Sequence, residues 1–286
     1  MKPNHNIAFA FWLNLFFSLV ELVGAFFTNS VAIASDAIHD LGDSVALGLS
    51  WYLERYSEKG RDTRFSFGYK RFSLLAALIN CLVLIFGSLF ILREALPRLW
   101  EPQDVHSTGM IYLALFGIAC NSYAAFKLHH GHSHNESILS LHFLEDVLGW
   151  VAVLIVAFAM KLGDYAFLDP LLSLGIAIFI MWNAGKRLKI TLRIFLQSIP
   201  DDLNLDLIEK KIGAHTAILG VHDTHIWSLD GRHHVLSAHI IVQPELDSQA
   251  ITQLKNTIKQ DLSLLGIKHV TLELEYNGES HELCPN

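Results

Sequence analysis

Six apolar runs set the reading frame of this chain. They cover approximately Ile7–Phe27, Val31–Leu53, Phe72–Leu96, Met110–Phe126, Ile138–Met160 and Pro170–Leu188. Each is near the roughly 20 residues that a helix needs to cross a hydrocarbon core. Only Thr28, Asn29 and Ser30 separate the first two runs, which therefore form a helical hairpin. The last run opens with Asp169-Pro170, read as a helix cap followed by proline at the first helical position. From about Pro200 the pattern turns to that of a water-facing domain. Leu203–His215 reads as an amphipathic helix, Val221–Leu229 and His233–Val242 as strands, Ser248–Leu262 as a helix and His269–Tyr276 as a strand. Asp230-Gly231 between the first two strands is a hairpin signal. The expected architecture is an α-helical membrane protein. A six-helix transmembrane domain over 1–195 precedes a small α+β domain over 200–286, in the ferredoxin-like order α-β-β-α-β. So small a domain has a thin core, and pairing with a second copy would support it.

Composition agrees with a membrane class: 52% of the 286 residues are hydrophobic and 17% charged, below the quarter usual in soluble domains. Lys and Arg collect in two places, Arg55–Arg71 and Lys186–Arg193. The rule that positive loops stay inside then puts both termini in the cytoplasm, the membrane being the inner or plasma membrane in a bacterium. No cleavable signal peptide is read at the start, because the first apolar run lacks a basic flank and further long runs follow. The net charge of −7 gives no footprint for nucleic acid. Three cysteines, Cys81, Cys120 and Cys284, form no CxxC pair and no disulfide framework.

Candidate chemistry sits inside the apolar runs. His39 and Asp43 lie four residues apart, as do His142 and Asp146, and positions i and i+4 share a helix face. Ionisable groups within a spanning helix are costly and by default mark ion or proton sites. Two imidazoles and two carboxylates make a tetrahedral donor set suited to zinc. The competing reading, polar contacts between helices, accounts less well for the doubled spacing. Asp36, one turn before His39, is placed to orient it. Asp40 points about 100° away from His39 around the helix and is expected at a helix–helix contact, with Glu145 in the same relation to Asp146. Glu21 either lines a water path or bonds a neighbouring helix.

Histidine is abundant, with 16 residues. His129, His130, His132 and His134 form a tract between the fourth and fifth runs. It either gathers metal near the pathway mouth or is a solvated loop. His222 and His239 flank the predicted hairpin and are able to oppose one another, while Glu273 and Glu275 share a face of the last strand. His225, His233 and His234 read as ordinary surface or packing residues. His281 and Cys284 are too few for a site.

The stretch Asn29-Ser30 followed by Ser35-Asp36-Ala37-Ile38-His39-Asp40-Leu41-Gly42-Asp43, together with His142 and Asp146, resembles the cation diffusion facilitator family in its zinc-transporter form. Phe67-Gly68-Tyr69 with Arg71 is similar to that family's connection between the second and third helices. Val221–Leu229, Ser237-Ala238-His239 and Thr271-Leu272-Glu273-Leu274-Glu275 resemble strands of its cytoplasmic domain. The resemblance implies a homodimeric metal/proton antiporter with alternating access, moving Zn²⁺ out of the cytosol, with Cd²⁺ as a chemically similar passenger. It implies His39, Asp43, His142 and Asp146 as the transport site. It also implies His222, His239 and Glu275, more weakly His269, as ligands for a regulatory zinc. The partners expected are a second copy, protons as counter-ion and the lipid bilayer, with no nucleic acid. One departure is that the segment Tyr56–Phe72 holds no histidine, so no metal is expected there. Two other classes are a membrane-anchored zinc sensor and a membrane zinc enzyme. The sensor would not need ionisable pairs at mid-membrane. The enzyme would show a general-base pattern such as HExxH, and four protein ligands leave no open position on zinc. No enzymatic activity is expected.

Overall fold

The computed structural model describes residues 5–129 and 134–276. Six long helices come first: α1 (His5–Thr28), α2 (Val31–Ser57), α3 (Phe72–Trp100), α4 (Ser107–His129), α5 (His134–Leu162) and α6 (Leu168–Phe195). Then follow α7 (Leu205–Gly213), β1 (Ile218–Ser228), β2 (His234–Val242), α8 (Ser248–Ser263) and β3 (Ile267–Tyr276). Among the described residues, five helices are apolar and long enough to cross a membrane: α1, α3, α4, α5 and α6. The α2 helix is as long, at 27 residues, but Asp36, Asp40 and Asp43 dilute its apolar character. The chain is a multi-pass membrane protein. It divides into two compact units, one of residues 1–55 and 75–188, the other of 56–74 and 189–286.

In the helical unit, α4 packs along α5 and α1. Phe17, Phe116 and Trp150 form one ring cluster, with Trp150 fully buried. The indole presses against Gly117, where a Cβ atom would stand only 2.5 Å from the ring. Any larger residue at Gly117 would force these two helices apart.

The start of α2 is held by another helix. Its first N–H groups have no partner within the helix. Val31 N donates to Asp169 Oδ2 at 2.8 Å and Ala32 N to Asp169 Oδ1 at 3.3 Å. The Ser30 hydroxyl donates to the same carboxylate, and Ile33 N donates to Ser30 Oγ at 3.1 Å. Ser173 Oγ returns a bond to Val31 O at 3.3 Å. Asp169 was expected to cap α6. The α6 helix instead begins one residue earlier, at Leu168, and leaves this carboxylate free to cap its neighbour. Outside this cap, Asn29 turns the chain with φ 55°, and Arg98 Nη1 donates to its carbonyl at 2.9 Å.

In the second unit the sheet order is β1-β2-β3, with β1 antiparallel and β3 parallel to β2. Alternate residues of β2, namely Leu236, Ala238, Ile240 and Val242, join Ile208 and Ile212 of α7 and Ile258 and Leu262 of α8 in one core. The α7 helix is shorter than its apolar pattern suggested because Asn204 caps it, accepting from Leu207 N at 3.0 Å. Asp247 caps α8 in the same way through Ala250 N at 2.7 Å. The turn at Asp230-Gly231 forms as expected, with Gly231 at φ 87°. Burial pushes the Asp230 carboxyl up, but the N–H groups of Arg232 and His233 and the His233 ring together hold it below its usual range.

The segment between α2 and α3 belongs to this unit. Asp62 accepts from Tyr69 Oη at 2.7 Å and from Arg64 N and Phe65 N at 2.8 Å each. Phe65, Tyr69, Phe72 and Tyr56 pack against one another, and Lys59 lies over the Tyr56 ring. Phe67 meets Trp227 of β1 and His269 of β3 edge-on.

Two outcomes are expected. Asp169→Ala leaves two buried backbone donors and the Ser30 hydroxyl without their acceptor. Thermal unfolding in detergent should show a loss of about 2 kcal/mol or more. The Tyr69 hydroxyl and the Phe65 and Arg64 amides hold Asp62 below its ordinary value of 3.8. A carboxyl lowered by folding stabilises fully above its unfolded pKa, and that stabilisation is lost as pH falls through the folded one. Amide exchange across residues 62–69, corrected for intrinsic rate, should therefore speed up as the pH drops below about 4, and less so in Asp62→Asn.

Candidate metal centres

Helical periodicity places His39 and Asp43 on one face of α2, and His142 and Asp146 on one face of α5. The fold turns these faces toward each other. Asp43 Oδ2 lies 3.7 Å from His39 Nε2 and 3.4 Å from His142 Nε2. Asp146 Oδ2 lies 3.8 Å from His142 Nε2. Zinc with bonds of about 2.0–2.1 Å sets its tetrahedral ligands about 3.3 Å apart. The observed separations differ from that by a few tenths of an ångström, within reach of side-chain adjustment. A cavity of about 680 Å³ reaches the cluster, lined by Asp36, His39, Glu145 and Asp146 and by apolar residues of α5 and α6.

Two neighbouring carboxylates flank this cluster. Asp36 does not orient His39 by a hydrogen bond, because His39 Nδ1 is buried and has no hydrogen-bond partner. Asp36 lines the cavity instead, facing Gly149. Asp40 sits at a helix contact, and that contact borders the site. It is fully buried, and one of its oxygens lies with ligand atoms of His39 and Asp146 in a group whose members are all within 4.8 Å of one another. The two α2 positions diverge around the helix, but Asp146 on the facing helix reaches into the angle between them. Asn14 Nδ2 donates to the Asp40 carbonyl at 3.2 Å and to Ser44 Oγ at 3.1 Å, tying α1 to this part of α2. Glu21 is also fully buried. Glu145 faces the cavity and is exposed.

The second cluster lies on the sheet. In the β1–β2 register His222 stands opposite His239, with ring centroids 5.4 Å apart. Glu275, paired with Ile241 on β3, falls on the same face. Its Oε2 lies 2.7 Å from His222 Nε2, and its Oε1 lies 2.6 Å from His239 Nδ1. Two imidazoles and a carboxylate already gathered on rigid strands fit a zinc-like ion, so His222, His239 and Glu275 could hold one. Such an ion would tie the three strands together as a structural cross-link. A one-residue bulge after His222, with Asp223 at φ 47°, brings Asp223 Oδ2 to 3.6 Å from His239 Nε2. His225 bonds Asp223 at 2.9 Å and His233 bonds Asp230 at 2.7 Å. His234 is buried, 3.5 Å from Asp202. His269 rests on Phe67, its ring centroid 5.3 Å away, and is not in the group formed by His222, His239 and Glu275. The sequence missed Asp223 because a bulge leaves no mark in strand alternation. In the histidine tract, His129 is exposed at the end of α4. His130, His132, the His134 side chain, His281 and Cys284 lie outside the described residues.

Comparisons with known proteins identify the family. Residues 7–196 match the family profile described as "Cation efflux transmembrane domain", and residues 200–276 match "Cation efflux protein, cytoplasmic domain". The chain belongs to the cation efflux family, the cation diffusion facilitators. It is 30% identical to a "Cadmium, cobalt and zinc/H(+)-K(+) antiporter" of Bacillus subtilis, over 99% of this chain and 94% of that protein. It is 32% identical to the "Metal cation efflux system protein CzcD" of Cupriavidus metallidurans, over 91% and 82%. It is 29% identical to "Zinc transporter ZitB" of Pectobacterium atrosepticum, over 96% and 86%.

If Glu275 is a ligand, zinc should slow amide exchange in β1–β3 of the full-length protein, and Glu275→Ala should remove most of that protection. Equal protection in both proteins would argue that zinc acts elsewhere.

Proposed function

We propose that this protein exports divalent cations, zinc first, from the cytosol in exchange for protons, by alternating access across the membrane. One observation carries the proposal: the Asp43 carboxylate lies between two imidazoles from different helices, with Asp146 beside the second. Four closed protein ligands suit carrying an ion and leave no open position for a substrate reaction. Membership of the cation efflux family and the names of its relatives point the same way. Cadmium is the alternative passenger, because the same nitrogen and oxygen donors accept it.

Exchange follows from the donors themselves. His39 and His142 bind a cation only through neutral nitrogens, and the carboxylates only when ionised, so loading releases protons. Imidazole titrates near neutral pH. A site opened toward a more acidic side is thus driven to reprotonate and let the cation go. We assign residues 1–195 to this movement. Residues 200–286 form the regulatory domain, in which zinc at His222, His239 and Glu275 holds a homodimer. Both termini face the cytoplasm, by the distribution of Lys and Arg. The tract His129–His134 gathers zinc near the pathway mouth.

In proteoliposomes, zinc flux should follow an imposed pH gradient and collapse when a protonophore removes it. Asp43→Ala and Asp146→Ala should each lower flux by roughly 100-fold or more, since even groups that only support a ligand cost 10–100-fold. Flux indifferent to pH would defeat the exchange. Zinc binding without flux would make the protein a sensor.

A further inference from the structure

The transport-site reading uses four residues and leaves Asp40 unexplained. Asp40 is fully buried, and neither carboxylate oxygen has a hydrogen-bond partner. Glu21, Asp36, Asp43 and Asp146 are all within electrostatic reach of it. Burying one more acid in such company is costly unless a cation or proton joins it. The surrounding atoms suit a cation. Asp40, His39 and Asp146 each offer a ligand atom within 4.8 Å of the others. The Asp146 Oδ2 and His39 Nδ1 atoms are likewise buried and without hydrogen-bond partners. His39 thus presents Nε2 toward Asp43 and keeps its second nitrogen unused. Asp40 does not line the cavity that reaches His39 and Asp146, so it stands behind those two donors.

We propose that Asp40 completes a second cation position, held by His39, Asp40 and Asp146, that overlaps the four-residue site. The inference rests on the transport-site reading and adds a ligand to it. The ion passes between the two positions by keeping His39 and Asp146 and exchanging Asp43 and His142 for Asp40. Both sets carry two carboxylates, so a divalent ion is neutralised equally in either place, and the step does not strand charge in the bundle. The inner set has one nitrogen fewer than the outer. It therefore suits ions that accept oxygen donors and higher coordination, cobalt among them, better than the outer set does. Asp40 becomes a residue through which selectivity among divalent cations is set.

The test uses cobalt alone, on full-length protein carrying His222→Ala and His239→Ala so that metal on the sheet does not contribute. In Asp40→Asn, cobalt affinity should fall by about tenfold or more and the visible absorption of bound cobalt should change. Asp40→Glu should restore part of the affinity. The metal-free Asp40→Asn protein should be at least as stable to heat as its parent, because a buried acid without a partner has been removed, while the stabilisation gained from cobalt shrinks. Unchanged affinity and spectrum overturn the proposal. So does an Asp40→Asn protein that is destabilised without metal or fails to accumulate, since that makes Asp40 a structural residue. Asp43→Ala in parallel separates the two readings. If it leaves cobalt binding intact and Asp40→Asn does so too, the transport site itself is wrong. If it abolishes binding while Asp40→Asn changes nothing, only the second position falls.

Discussion

Carboxylates inside an apolar bundle govern this molecule. An ionised acid removed from water costs several kcal/mol unless charge or hydrogen bonds replace its solvation. The helical unit buries Glu21, Asp36, Asp40, Asp146 and Asp169, all at 6% exposure or less. Only Asp169 is fully satisfied within the protein, by two backbone amides and a hydroxyl. That contrast divides the acids by task. Asp169 spends its charge on the start of α2 and fixes the helix that carries His39, Asp40 and Asp43. Asp36, Asp40 and Asp146 gather near His39 with bonding capacity to spare, which is what a site for a travelling cation needs.

The sheet uses the same donors differently. There His222, His239 and Glu275 sit on paired strands, held by ladder hydrogen bonds and by a core formed by α7, α8 and β2. Glu275 already bonds both rings. A site so preorganised suits an ion that stays, whereas donors spread over separate helices can part to release one. The aromatic segment between α2 and α3, closed around Asp62 and touching β1 and β3 through Phe67, makes the sheet unit larger than the stretch beyond residue 200.

Much of this is legible in the sequence. The six apolar runs match α1 to α6, and the order of α7 to β3 follows the alternation of apolar residues and the Asp230-Gly231 turn. The His-Asp spacing put each pair on one face, and strand pairing across the hairpin put His222 opposite His239. The failures share a cause. The sequence pattern has Asp169 cap its own helix and Asp36 orient His39, and the structure shows neither. Each reading treated a helix as its own environment, when the partner lay on another helix or in the cavity.

Local order along one chain segment sets the 3.6-residue and 2-residue periods. The chain alone therefore fixed which residues share a face, and how many helices and strands there are. Which faces meet depends on packing between segments far apart in sequence. That packing brought α5 into the angle between His39 and Asp40, gave α2 its cap from α6, and moved Asp223 onto His239 through a bulge. No period along the sequence records those distances, because they arise only when separate elements share the same space.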